Sequence, residues 1–359
     1  MEGFNELPAR RNDRAACHGM RRLLSICVAL CLPAALEPTF AQSTATKWSV
    51  ERLGAFQERF DAVARGLAES PLFRDLTQQQ RVDRIEFVVG NTLFVLLHEM
   101  GHAHIREMQL PVLGRAEDAA DEFAVLTLIN RGSAFSYRVL ADAAKGWFLS
   151  DRRNREIGEP IPSYDEHELN AQRAYRFVCL MLGSDPHMFA DLARQVKLPD
   201  DRQKTCRDEY EIASRSWETL LKPHRRTADQ PMTQVDIEYD DGERNFDAFV
   251  KMFRGVRLLE TVAGAAAEQY IWPNPFKMRM QVCGRPEAQW EERTRVLTIC
   301  YEEARDFVEL HRAYGTAPLD VSNNPNNKDA PAKRIGVRKS RLMVSRGVLA
   351  REIHRLDRQ

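Results

Sequence analysis

The stretch Leu96-Leu97-His98-Glu99-Met100-Gly101-His102-Ala103-His104-Ile105 sets three imidazoles and a carboxylate within ten residues. His98 and His102 stand four apart, so on a helix both rings leave the same face, one turn from each other. That spacing lets two imidazole nitrogens reach one tetrahedral zinc ion. Glu99 follows His98 and points to the side of the pair. There its carboxylate is set to take a proton from a metal-activated water rather than to bind the metal. His104 lies two residues past His102 and projects to nearly the opposite face, so it reads as a supporting or surface residue and not a ligand. The plain alternative is a buried amphipathic helix with satisfied histidines. Burying two imidazoles and a carboxylate beside Leu96 and Leu97 costs several kcal/mol unless something pairs with them. Gly101 costs about 1 kcal/mol in a helix, and its missing side chain admits another element close to the metal.

A catalytic zinc needs a third protein ligand and one open position. After a turn marked by Pro111 and Gly114, the run Ala116-Glu117-Asp118-Ala119-Ala120-Asp121-Glu122 offers carboxylates, with Glu117 and Asp121 at i and i+4 on one helix face. An acidic first turn favoured by the helix dipole would read the same way. The ExxxD arrangement resembles that of the gluzincin metallopeptidases. The resemblance implies Glu117 as the third metal ligand and Asp121 as acceptor of a hydrogen bond from the far nitrogen of a ligand histidine. Such a bond fixes the tautomer and ring angle of the ligand. Asp118 is the rival ligand.

The longer blocks GNTLFVLLHEMGHAHI and LPVLGRAEDAADEFA resemble the putative metallopeptidase family of exported bacterial proteins. DEHELNAQRAYRFVCLMLGSDP (165–186) and CG…LTICYEEA (283–304) resemble softer segments of the same family. The resemblance spans most of residues 80–314 and implies a zinc peptidase-like site. Within 165–186, His167 is the candidate for stabilising the oxyanion of a tetrahedral intermediate, as a histidine or tyrosine does in gluzincins; Tyr164 and Arg173 are the other candidates. Asp165 with Glu168 three residues on also reads as a helix start.

The elements that must position these groups follow from periodicity. Helical spacing of apolar residues covers 48–69. RIEFVVGN (84–91) is either a short strand or the lead into the helix 92–108, whose Leu93–Leu97 stretch is apolar all round and therefore buried. Further helices are expected at 116–130, 134–149, 165–183, 186–196, 200–222 and 246–268, with a last one ending near Tyr314. QVDIEYDDGE (234–243) has the pattern of an exposed strand ending in a turn. FKMRMQVCG (276–284) alternates like a half-buried strand, with TRVLTICYEE (294–303) as its partner. The result is an α+β fold, predominantly helical, with a zincin-like metallopeptidase core and a small β-sheet.

Bulk properties agree with an exported globular protein. The 359 residues carry 52 basic and 52 acidic side chains. The balance is uneven: residues 42–327 hold 37 basic against 45 acidic side chains, and 328–359 hold 10 against 3. An acidic body excludes nucleic acid as a partner. From Met20, Arg21 and Arg22 followed by an apolar run to Leu36 and a Thr39-Phe40-Ala41 cleavage site read as a signal peptide, with Met20 as the start. The run is too short for a stable membrane span. Cleavage leaves Cys179, Cys206, Cys283 and Cys300, and the sequence-local pairing Cys179–Cys206 and Cys283–Cys300 is expected in an oxidising compartment.

The domain plan is thus a signal peptide over 1–41, a zincin-like domain over 42–320 and a basic tail over 321–359. The function expected is zinc-dependent hydrolysis of a peptide or protein in the periplasm or outside the cell, with His98, His102 and Glu117 on the metal and Glu99 as general base. Two other classes are open. One is a non-catalytic scaffold or binding protein stabilised by its metal; the other is a metal-dependent amidase acting on cell-wall peptide. A purely structural site has no need of Glu99, which favours the enzyme. Oligomeric state is open.

Overall fold

The computed structural model describes residues 50–158, 168–242 and 244–316. The expected leader, His167 with Tyr164 and Asp165, and the basic tail lie outside the described residues. In chain order the elements are α1 (Val50–Gly66), α2 (Gln78–Glu107), α3 (Ala116–Arg131), α4 (Ala134–Glu156), α5 (Asn170–Ser184), α6 (Pro186–Gln195), α7 (Asp200–Gln203), α8 (Cys206–Leu221), β1 (Val235–Tyr239), α9 (Asp247–Val256), α10 (Leu258–Gln269), β2 (Phe276–Gln281), β3 (Ala288–Glu291), β4 (Val296–Cys300) and α11 (Tyr301–Tyr314). The fold is mostly helical with one small sheet, as the sequence pattern requires. Among the described residues no helix is long and apolar enough to cross a membrane.

Helix α2 is the axis of the molecule. Thr77 caps it: the Gln80 backbone N–H donates to Thr77 Oγ1 (3.3 Å) and the Thr77 N–H to Gln80 Oε1 (2.9 Å). Such a reciprocal cap contributes about 1 kcal/mol. From Ile85 to Ile105 most positions are buried, so the helix is enclosed by α1, α3, α4, α11 and β3. The segment 84–91 is therefore its third and fourth turns and not a strand. A continuous apolar run has no period to separate the two possibilities, and only the packing around it does.

Gly101 sets the distance to α3. A Cβ there would come 2.9 Å from Ala120 Cα, so the two helices cross with backbone almost against backbone. Gly132, at φ 60°, ends α3 in the left-handed conformation that glycine adopts without strain. Ser133 then caps α4 with Ser136, and α4 runs on to Glu156, about two turns past the expected end near 149.

Three other expectations change. The helix expected over 246–268 is two helices, because Arg257 takes φ 56° and serves as the last cap of α9 and the first of α10. The 200–222 helix is split into α7 and α8. Strand β4 stops at Cys300, where α11 begins, and it pairs with β2 in parallel. Its antiparallel neighbour is β3, four residues whose alternation is too short to carry much periodic signal. The sheet order is β1-β2-β4-β3, with β1 also parallel to β2, so β3 is an edge strand. Both expected disulfides are present. Cys179–Cys206 ties α5 to α8, and Cys283–Cys300 ties the end of β2 to the end of β4. Closing loops of 27 and 17 residues contributes about 3–4 kcal/mol each through the unfolded chain's lost entropy.

Candidate metal centre

Helices α2 and α3 bring the three expected donors to one point. His98 Nε2 lies 3.1 Å from Glu117 Oε2 and 3.1 Å from His102 Nε2, and His102 Nε2 lies 3.4 Å from Glu117 Oε2. Zinc bonds of about 2.0–2.1 Å put tetrahedral ligand atoms about 3.3–3.4 Å apart, so these three atoms stand at the corners a small tetrahedral cation needs. The donor set, two imidazoles and one carboxylate, suits a borderline divalent ion that leaves one position for water or substrate. The close crossing at Gly101 and Ala120 makes this possible, since Ala120 lies between Glu117 and Asp121 on α3.

Asp121 sits on the far side of His98. Its Oδ1 accepts from His98 Nδ1 at 2.8 Å, which leaves Nε2 as the ring atom that faces Glu117 and His102. Burial by itself would strip a proton from His98, but its hydrogen bonds to Asp121 and Glu117 and the charges of Asp121 and Glu99 outweigh it and hold the imidazole at about 9. The pocket is built to favour positive charge. Burial would also protonate Asp121, but the Arg173 and His98 charges keep it well below the usual carboxylate range.

Glu99 is buried, and its Oε2 accepts the backbone N–H of Trp290 at 2.9 Å. This contact brings the edge strand β3 against the histidine helix. Cys300 donates to the Glu287 carbonyl, so Glu287, Gln289 and Glu291 are the residues bonded to β4. By antiparallel alternation Ala288 and Trp290 turn their backbone groups to the outer edge, on the side of Glu99. Sequence reasoning missed this strand, whose only signal was the alternation Ala288, Gln289, Trp290, Glu291 over four residues.

The other candidates are placed as follows. Asp118, the rival ligand, turns outward to Arg115 Nε (3.0 Å) and Arg176 Nη1 (3.5 Å). Arg173, one of the oxyanion candidates, is buried and directed at Asp121. Glu168 binds Arg115 Nη2 at 2.8 Å, and α5 begins with Leu169 as its cap. His104 does face away from the pair but is buried, 1% exposed, and not on the surface.

No curated protein and no solved structure matches the chain. A family model described as "putative metallopeptidase" matches residues 67–221. The match runs from the end of α1 to the end of α8, taking in both the HExGH and EDxAD blocks; the 283–304 segment and β3 lie beyond it. Over residues 67–221 the chain is therefore similar to the putative metallopeptidase family that those blocks resemble.

Proposed function

We propose that the protein is an exported zinc metallopeptidase with the ion on His98, His102 and Glu117. The observation that carries this reading is the triangle of donor atoms, 3.1, 3.1 and 3.4 Å apart, with Glu99 one residue from the first ligand. A bound zinc ion would supply Lewis acidity to a water and to a substrate carbonyl. Glu99 takes the proton of the attacking water and returns it to the leaving amine. The Trp290 N–H bond holds one Glu99 oxygen in place, so the carboxylate presents its other oxygen to the reaction. Asp121 keeps His98 in the one tautomer that can ligate.

The substrate reading rests on β3. The Trp290 N–H is taken by Glu99, and an extended peptide can pair with the outward backbone groups that remain at Ala288 and Trp290 by main-chain hydrogen bonds. His167 is retained as the oxyanion donor of this proposal. The two disulfides fit an oxidising compartment, which supports export through the leader at 1–41.

The test is metal analysis of freshly purified protein together with hydrolysis of a peptide library by wild type and Glu99→Gln. Both proteins are expected to hold one zinc per chain, with hydrolysis lower by about 10²–10⁴-fold in the variant. Protein that binds no divalent metal, or a variant as active as wild type, overturns the reading.

A further inference from the structure

Asp121 is itself held from behind. Arg173 Nε donates to Asp121 Oδ2 and Arg173 Nη2 to Asp121 Oδ1, both at 2.7 Å. Both residues are 4% exposed. The guanidinium lies 3.7 Å from the centre of the Trp147 ring. Four helices thus meet in one line: Trp147 on α4, Arg173 on α5, Asp121 on α3 and His98 on α2. This accounts for what the expected oxyanion candidate does instead.

We propose that Arg173, clamped on Trp147, is the positioning residue of the metal centre and acts through Asp121 on His98. The inference rests on the reading that His98 ligates a metal. A short aspartate with one contact can turn about its χ angles. A planar fork bonded to both oxygens removes that freedom and leaves an Oδ1 lone pair directed at His98 Nδ1. The stacking plane of Trp147 fixes the fork in turn. Lysine would keep the charge but not the two-point geometry.

A buried ion pair that merely ties α3, α4 and α5 together would have the same contacts, so the experiment must separate the two roles. Zinc affinity is measured by competition with a chelator, alongside the visible spectrum of the cobalt-substituted protein and the unfolding of metal-free protein. Arg173→Gln is expected to bind zinc about 10–100-fold more weakly, as loss of a partner behind a ligand does, with a changed cobalt spectrum. Arg173→Lys should fall between it and wild type. In an Asp121→Asn background the Arg173→Gln loss should disappear. Arg176→Gln, which breaks the neighbouring pair with Glu122, should leave affinity unchanged. A folded Arg173→Gln protein with wild-type affinity overturns the proposal, and so does a loss that persists undiminished in the Asp121→Asn background. If Arg173→Gln does not fold, Arg173→Lys with wild-type affinity and spectrum overturns it equally. Wild-type protein that binds no zinc would instead sink the metal-centre reading.

Discussion

Two faces of α2 carry histidines six residues apart, and both side chains are nearly sealed: His98 is 4% exposed and His104 1%. Burial alone disfavours a charged imidazole at either position. On the first face the hydrogen bonds to Asp121 and Glu117 reverse it and hold His98 at about 9. On the second face nothing reverses it. His104 Nδ1 donates to the Met100 carbonyl at 2.6 Å. Its ring is walled by Trp272, Phe123 and Tyr270, with centroids 4.4, 4.5 and 4.9 Å away. Burial pushes it to about 4. One helix thus offers a cation-seeking face and a cation-excluding face, and what differs is the neighbouring element. Helix α3 brings carboxylates to one side, while Phe123 of α3 and the Tyr270–Trp272 segment bring aromatic rings to the other.

The largest expected effect tests that division directly. His98→Ala and Glu117→Gln should each lower zinc affinity by more than the roughly 10–100-fold caused by losing a supporting partner. His104→Phe and Asp118→Asn should leave it within a few-fold of wild type. Chelator competition reads both pairs, and a large loss in His104→Phe would erase the distinction between the faces.

A second prediction concerns pH. His104 titrates at about 4 in the folded chain, against an ordinary value of 6.5. The unfolded chain therefore binds the proton first. The contribution is fully present above pH 6.5 and is lost as pH falls from there toward 4. Its full size is about 3 kcal/mol. Urea unfolding between pH 7 and 4 should show a shallower loss for His104→Phe than for wild type. His311, also lowered to about 4, contributes in the same sense to both proteins and cancels in the difference. Parallel curves would mean that the second face tolerates charge.

The smallest effect concerns the crossing that makes the first face. Gly101→Ala gains about 1 kcal/mol of helix propensity. It also drives a Cβ to 2.9 Å from Ala120 Cα, and overpacking of this kind costs about 1–3 kcal/mol. The contact is with backbone and cannot be relieved by a rotamer, so the expected net loss is about 1 kcal/mol. Metal affinity should fall with it, because α3 must shift and carry Glu117 along. Thermal unfolding and chelator competition on the same samples check this, and a stabilised variant with full affinity would show that the close crossing is not needed.

Much of the site is legible in the amino-acid sequence. The spacing of His98, Glu99 and His102 follows from helical geometry, and the i, i+4 carboxylates Glu117 and Asp121 stand on one face for the same reason. The disulfide partners are legible from their proximity along the chain. Strand β3 is not, since four residues give almost no periodic signal. Neither is the break at Arg257, where a residue without glycine's freedom takes a left-handed backbone. Arg173 stands out as a candidate but in the wrong role, because its type says only that it will seek an anion and not which one.

The sequence by itself determined which groups could bind a metal and which helix faces they occupy, because those depend on local periodicity and side-chain chemistry. Only the tertiary structure decided which of Glu117 and Asp118 turns inward, that Arg173 serves Asp121, that Trp290 meets Glu99, and that His104 is sealed among rings. Each of these depends on the approach of elements far apart in the chain. That approach is set by packing, such as the bare backbone at Gly101, and a one-dimensional pattern of residue types does not encode its distance or angle.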